Sequence, residues 1–490
     1  MTWNEVLIFE RSSAGKAGAN LAPLDVPAVS PAELLGPELV RDEIEGFPEV
    51  SEVDAIRHFS RLSTWNCGMD TGLYPLGSCT MKYNARINET VARLKGLATE
   101  HPYTPQALAQ GCLRILYETA RCLEEITGMD AVSLQPAAGA QGELTGILMI
   151  RACLAERGKA RRYILVPDSA HGMNPAGVVI FGYQLRPLKS NERGCVDIGD
   201  LACAMTADVA GLMLTNPNTL GIFETEIARI ADVVHARGGL VYMDGANINA
   251  LVGVARPGDF GIDEMHLNLH NTFSTPHGGG PGSGPVAVKQ FLESYLPSPV
   301  VEKSPERRFL LNYDCPKSIG RVRPFLGKFG MAVRALAYIL ANGPEGLRQT
   351  TEDAVLNANY VRSRLRDAYD LTYGQPCLHE CVFSDRRQAA KGFRTMDIAK
   401  RLIDYGFRPY TTALPLIVPG ALMIEPTASP TKGELDAFIN ALRAIAEEVE
   451  QDPEYGLKAP HTTRVTRLDD VGAAPRTTLR WKQGGIGDRS

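Results

Sequence analysis

The chain is poor in the features that would commit it to a special environment. It has ten cysteines in 490 residues, and no two stand as Cys-x-x-Cys, which argues against a zinc ribbon or a thioredoxin-type dithiol. No apolar run approaches the roughly 20 residues that a membrane helix needs. Neither charge dominates: 51 Lys and Arg against 56 Asp and Glu leave a formal net charge of −5. That balance gives no overall pull toward nucleic acid or anionic lipid. Internal repeats and low-complexity tracts are absent. The opening, Met1 to Arg11, has no basic segment followed by a long apolar one, so no secretory leader is expected. The expectation is a soluble, cytoplasmic protein. Cys377 and Cys381 flank Leu378-His379-Glu380. This could be a metal half-site, but small buried thiols in a reducing compartment are the reading taken, with no metal.

What is present is an ordinary globular composition, 44% hydrophobic and 22% charged. The length allows several domains. Residues 1–65 are Pro-rich, with short helical stretches at Pro31–Leu39 and Val53–Leu62, and read as an arm lying on another surface. A Gly/Cys/Asn-rich loop follows at 66–85, then helical apolar spacing over 105–127. From Ala131 an alternation begins. Short apolar runs at Ala131–Leu134, Tyr163–Val166, Val178–Leu185, Gly211–Leu214 and Gly239–Met243 are separated by helical stretches. That pattern predicts an α/β fold with a parallel sheet covered on both faces. Residues 66–330 form this large domain. Residues 331–459 read as a smaller α+β domain, with helices at Phe329–Ala341, Thr351–Tyr369, Met396–Tyr405 and Lys432–Gln451. Its strands are expected at Leu371–Tyr373, Cys381–Ser384 and Ala421–Glu425. Residues 460–490 form a basic, irregular tail.

Open parallel sheets bind ligands beyond the carboxyl ends of their strands. After the first run comes Gly139-Ala140-Gln141-Gly142, small residues entering a helix, which suit an anion at the helix start, although packing turns use the same residues. After the second comes Ser169-Ala170-His171-Gly172, where His171 can stack on a flat ring or serve structurally. After the fourth comes Thr215-Asn216-Pro217-Asn218. The fifth ends in Asp244-Gly245-Ala246-Asn247. A carboxylate ending an apolar strand is costly unless paired, and a protonated ring nitrogen or a helix N-terminus would pair it. Then comes His266-Leu-Asn-Leu-His270-Asn271-Thr272-Phe273, leading to a glycine-rich run beginning at Gly278.

Together these resemble the pyridoxal-phosphate (PLP) enzymes of the aspartate-aminotransferase-like fold type I. The resemblance is closest to the glycine decarboxylase (P-protein) of the glycine cleavage system, specifically the second subunit of its two-subunit form. Strings that carry it include Phe9-Glu-Arg-Ser-Ser13, Pro75-Leu-Gly-Ser-Cys-Thr-Met-Lys82, Gly139-Ala-Gln-Gly-Glu143, Thr215-Asn-Pro-Asn-Thr-Leu-Gly221, Pro316-Lys-Ser-Ile-Gly-Arg-Val-Arg-Pro-Phe325 and Met423-Ile-Glu-Pro-Thr427. The resemblance implies a cofactor, PLP, whose ring nitrogen pairs with Asp244 and whose ring stacks on His171. Its phosphate would lie at Gly139, Ala140 and Gln141, with Ala246, His270 and Thr272 lining it. Ser78, Cys79 and Lys82 would face glycine or the lipoyl arm. It also implies decarboxylation of glycine, transfer of the aminomethyl group to the lipoyl H-protein, and an α₂β₂ assembly with P-protein subunit 1.

One departure bears directly on the chemistry. The family has His-Lys-Thr-Phe where this chain has His270-Asn271-Thr272-Phe273. Asn271, 27 residues beyond Asp244, occupies the slot of the Schiff-base lysine. An amide forms no imine and is no amine base. Smaller differences accompany it: three glycines at Gly278–Gly280 for the family's four, Asn247 for Gln, Lys328 for Asn, Tyr410 for Pro, and Ala428 after Glu-Pro-Thr. Such clustering favours natural divergence over a single engineered trap or a one-base change. Neither Lys82 nor Lys289 is expected to replace the missing amine. The reading is therefore a P-protein subunit with non-covalent PLP and reduced activity, or an inactive paralogue that supports the other subunit.

Overall fold

The computed structural model describes residues 5–41, 43–172, 174–276, 282–469, 472 and 481. The shortened glycine stretch Gly278–Gly280 lies outside them. The chain divides into two compact units, residues 1–68 with 467–490, and residues 69–466.

The first unit is small. Its longest helix, Glu52–Ser63, starts at a capping box in which Ser51 accepts from the Asp54 N–H. The Glu5 carboxylate is buried and takes Arg11, His58 and Arg61. Phe9 stacks on Trp481, ring centres 5.3 Å apart. Between these contacts Leu21, Leu24, Val26, Leu34 and Leu39 are exposed.

The second unit is built on a seven-stranded sheet of β1 (Ala131–Ser133), β2 (Tyr163–Pro167), β3 (Gln184–Leu188), β4 (Val209–Thr215), β5 (Leu240–Gly245), β6 (Glu264–Leu267) and β7 (Val286–Val288), in the order β1-β7-β6-β5-β4-β2-β3. Strands β2 to β6 run parallel, and β7 is antiparallel to both neighbours. The central strands β4 and β5 are buried along their whole length, which is why they read as continuous apolar runs. One apolar cluster, with Val241, Met243 and Leu267, packs on one face; another, with Ile147, Met149 and Tyr242, packs on the other.

One expected strand is displaced. Residues Asn174–Ile180 form a helix, and the strand comes later, at Gln184–Leu188. Asn174-Pro175 supplies a helix start and Gly182, at φ 77°, a turn out, which outweighs the β-branched run Val178-Val179-Ile180. A hairpin of β8 (Val300–Lys303) and β9 (Phe309–Asn312) adds to the elements expected from the sequence pattern.

The helices expected at Phe329–Ala341 and Thr351–Tyr369 merge into Phe329–Leu365, broken at Gly343-Pro344, where Gly343 leaves helical geometry. It leads into a three-stranded sheet of β10 (Cys381–Ser384), β11 (Thr411–Thr412) and β12 (Ala421–Ile424), covered by helices Thr395–Asp404 and Lys432–Gln451. Cys377 and Cys381 are buried in this core beside Phe383 and Tyr369. The strand expected at Leu371–Tyr373 is absent; only Asp370 bridges to Ser384. No helix of the described residues is long and apolar enough to cross a membrane.

Candidate active site

The site gathers at the carboxyl ends of β4, β5 and β6. Asp244 is the penultimate residue of β5 and is 1% exposed. Its carboxylate is well supplied. The Ala246 N–H donates to Oδ1 at 2.9 Å, Asn174 Nδ2 donates to Oδ2 at 3.2 Å, and His266 Nε2 lies 3.3 Å from Oδ1. His266 is in turn fixed by Tyr242, whose hydroxyl lies 2.6 Å from Nδ1. Burial holds the Tyr242 hydroxyl well above its usual range and the His266 imidazole below its own. The tyrosine therefore donates to Nδ1, and the ring proton sits on Nε2, facing Asp244. Glu143 closes the group; burial and then the Asp244 charge push its carboxyl up, so it stays protonated at neutral pH.

On the same rim, β6 turns into the short helix Leu269–Thr272. Asn271 is 1% exposed, and its Nδ2 donates to the Ala246 carbonyl at 3.1 Å. Thr272 is buried with no partner for Oγ1. The His270 ring faces the Ser283 backbone, whose N–H lies 3.1 Å from Nδ1. His171 is half-buried, with its backbone N–H on Thr215 Oγ1. It interacts electrostatically with His266, so the two imidazoles are neighbours.

Gly139 to Gln141 open the 18-residue helix Gly139–Glu156, whose N-cap, Ala138, brings no side-chain acceptor to the first turn. Gln141 is turned away to fasten its surroundings, accepting from the Ala137 N–H and donating to the Val322 carbonyl. A Cβ on Gly284 would meet the Ala138 carbonyl oxygen at 2.0 Å, so only glycine allows this backbone so close to the helix start.

The second wall comes from the loop 75–84. It is stitched to the small sheet by a bridge between Leu76 and Ile424 and by Thr411 Oγ1 on the Gly77 carbonyl. Ser78 sits at φ 63°, donates its N–H to Glu380 Oε2 at 2.9 Å, and has a buried hydroxyl without a partner. Cys79 Sγ lies 3.9 Å from Asn271 Oδ1, and burial pushes this thiol up to about 11. Thr80 donates to Glu425 Oε1 at 2.5 Å, and Asn249 Nδ2, on the segment after β5, reaches the same oxygen at 3.3 Å. Lys82 is 3% exposed, with Nζ on Asn84 Oδ1 at 2.6 Å and 4.0 Å from the Tyr338 ring centre; burial lowers its amine to about 7.

Of the three loop residues expected at the site, Cys79 meets Asn271 directly, and Ser78 adjoins it on the same turn. Lys82 faces Asn84 and Tyr338. Lys289 lies beyond the end of antiparallel β7, at the amino ends of the parallel strands, bonded to the Gly128 carbonyl. Sequence reasoning gives no role to Tyr242, His266, Asn174, Thr80, Asn249, Glu380 or Glu425. His266 has a legible signal, one residue before a strand end, and it lies in register beside Asp244. The others have none that local pattern could supply.

Solved structures with this architecture include a glycine decarboxylase (P-protein) of the glycine cleavage system in inhibitor-bound form, with TM-score 0.70 and 20% identity, covering 85% of this chain and 93% of that one. A Lactobacillus brevis glutamate decarboxylase gives TM-score 0.66 at 13% identity, covering 87% and 96%. The fold is therefore fold type I of the PLP-dependent enzymes. A profile of the glycine cleavage system P-protein matches residues 35–308, and one of the glycine dehydrogenase C-terminal domain matches residues 350–463. Proteins described as "Probable glycine dehydrogenase (decarboxylating) subunit 2" from Bacillus velezensis and Caldanaerobacter subterraneus subsp. tengcongensis are both 52% identical, over 99% and 97% of this chain and 99% and 98% of theirs. The chain belongs to the glycine dehydrogenase (decarboxylating) subunit 2 family.

Fold and family imply PLP, and the residues fit it in all but one respect. An uncapped helix start suits the phosphate. Asp244 Oδ2 has a single donor and room for another, and the partnerless oxygens of Thr272, Asn247 and Asn174 are buried on this rim. The exception is position 271, where no amine is available for a covalent link.

Proposed function

We propose that this chain is a P-protein subunit that holds PLP without a covalent bond. Asp244 would pair with the ring nitrogen and His171 would stack on the ring. The first-turn N–H groups of Gly139, Ala140 and Gln141 would take the phosphate, with Ala246, His270 and Thr272 alongside. When bound, the cofactor supplies an electron-accepting ring for the pair left on the amino-acid carbon as CO₂ departs. The chain's own part is electrostatic. Tyr242 and His266 orient the Asp244 carboxylate, and neutral Glu143 keeps a second negative charge out of its neighbourhood.

The observation that carries the reading is Asn271. It is buried, spent on the Ala246 carbonyl, and has no basic nitrogen. Decarboxylation of glycine and delivery of the aminomethyl group to the lipoyl H-protein are therefore severely reduced. Ser78, Cys79 and Lys82 stand on the glycine or lipoyl side. The relatives' designation as subunit 2 supports P-protein subunit 1 as partner, in an α₂β₂ assembly. The same asparagine favours a second reading, an inactive paralogue that stabilises or regulates subunit 1.

Absorbance separates them. Cofactor added to the purified chain is expected to give a visible band that dialysis removes and glycine shifts. No band and no response would leave the supporting role. In Asn271→Lys the band is expected to survive dialysis, with glycine-dependent CO₂ release rising on the order of 10²–10⁴-fold, the usual range for a restored acid–base group. A variant that retains the band and stays inactive would shift the cause to the accompanying substitutions.

A further inference from the structure

The carboxyl groups of Glu380 and Glu425 are both fully buried and lie outside the set of residues assigned to the cofactor. Their adjacency follows from strand register. Cys381 pairs with Ile424 in the antiparallel β10–β12 ladder, so residues 380 and 425 lie opposite one another one step beyond it. Directly opposed side chains share a face, and two like charges there repel. The polar atoms of His379, Glu380 and Glu425 approach within 4.8 Å of one another.

Among the described residues no Lys or Arg makes an ion pair with either carboxyl. The His379 ring lies 3.7 Å from Glu380 Oε1, with neither ring nitrogen hydrogen-bonded. Burial drives that ring down to about 3, so it is neutral. The other titratable neighbours are the thiols of Cys79, Cys377 and Cys381, all pushed up. Arg362 bears on the last two thiols and bonds to neither carboxyl. Glu380 Oε2 takes the Ser78 N–H and Glu425 Oε1 takes Thr80 and Asn249, while Glu380 Oε1 and Glu425 Oε2 have no partner. A carboxyl proton is the donor these two oxygens lack.

We propose that Glu380 and Glu425 form a proton-holding pair, the acid–base group of the pocket beside Asn271, where the family has a lysine amine. The connection runs through the loop. Ser78 binds Glu380, Thr80 binds Glu425, and Cys79 between them touches Asn271. This rests on the functional reading above. An incoming amino acid must lose a proton from its ammonium group to the ionised form of Glu425: the N–H bond breaks, an O–H bond forms on that carboxylate, and nothing is oxidised. Burial holds Glu380 well above the usual carboxyl range, so it keeps its proton. Glu425, raised to about 8, exchanges near working pH.

Three measurements test the pair. The infrared difference spectrum of the full chain, wild type minus Glu425→Gln at neutral pH, is expected to contain a protonated-carboxyl stretch; should that variant misfold, wild type minus Glu380→Gln gives the same test. Melting gives the second. The unfolded chain releases the Glu425 proton near pH 4.5 and the folded chain near 8, so stability falls as pH rises between them. Wild type is expected to lose melting temperature across that window more steeply than Glu425→Gln. Third, at pH 9, where Glu425 is ionised before glycine arrives, calorimetry of glycine binding in two buffers of different ionisation enthalpy is expected to find close to one proton more released to solvent in Glu425→Gln. Absence of the infrared band, equal melting slopes, or a stoichiometric metal ion removable by chelation would overturn the pair. Equal proton counts would overturn its acid–base role. No heat with glycine would instead count against the functional reading, leaving spectra and melting to decide the pair.

Discussion

The two walls of the site are built on opposite principles. On the sheet side, the Asp244 carboxylate is enclosed at 1% exposure, yet both oxygens have donors, and a Tyr242–His266 chain orients one of them. On the loop and small-sheet side, Lys82, Glu380 and Glu425 are buried and Cys79 half-buried, with few donors and, among the described residues, no Lys or Arg paired with either glutamate. Burial therefore drives each toward its neutral form: the amine down to about 7, the thiol up to about 11, the Glu425 carboxyl up to about 8. One wall is wired to keep a charge in place. The other is arranged to hold and exchange protons near neutrality.

Substitution should expose that difference. The largest effect is expected on the wired wall. Asp244→Ala leaves the Ala246 N–H, the Asn174 amide and His266 Nε2 without an acceptor, and each stranded buried donor costs roughly 1–3 kcal/mol. Urea unfolding should therefore show a loss of several kcal/mol. A loss below about 1 kcal/mol would mean the donors find other partners, and the contrast between the walls would fail.

Lys82→Met should act in the opposite sense. Wild-type Lys82 has its amine lowered from 10.5 to about 7 by burial. Between those values the unfolded chain binds a proton the folded chain refuses, so wild-type stability rises with pH across the window. Methionine removes that slope and should raise stability at pH 7 by up to a few kcal/mol, since each tenfold loss of proton affinity on folding costs about 1.4 kcal/mol. Melting curves at pH 7 and pH 10 check this, and a destabilised variant at pH 7 would show the Asn84 and Tyr338 contacts to be worth more than the buried amine costs.

Thr80→Val should have the smallest effect, about 1 kcal/mol for one hydrogen bond to Glu425, with the midpoint of the melting–pH profile moving upward as that carboxyl loses a donor. An unchanged midpoint would detach Thr80 from the pair.

Much of the sheet wall is legible in the chain. Asp244 closes an apolar strand, Asn271 stands 27 residues on in a recognisable string, and small residues open a helix at Gly139. These are local signals, because a parallel strand and the loop at its carboxyl end are contiguous in sequence. Expectation and structure part where propensity and punctuation disagree. Val178-Val179-Ile180 favours a strand, but the Asn174-Pro175 start makes it helical, and the expected strand near Leu371 has only a single bridge partner.

The sequence alone determined the alternation of strands and helices, and with it the rim where a ligand is held, together with the identity of the residue at 271. Periodicity and strand-end chemistry are written in neighbouring residues. Only the tertiary structure brought Glu380 and Glu425 together and set Ser78 and Thr80 on them, from segments some three hundred residues earlier. Antiparallel register and the docking of one loop made that meeting, and no stretch of sequence encodes it by itself.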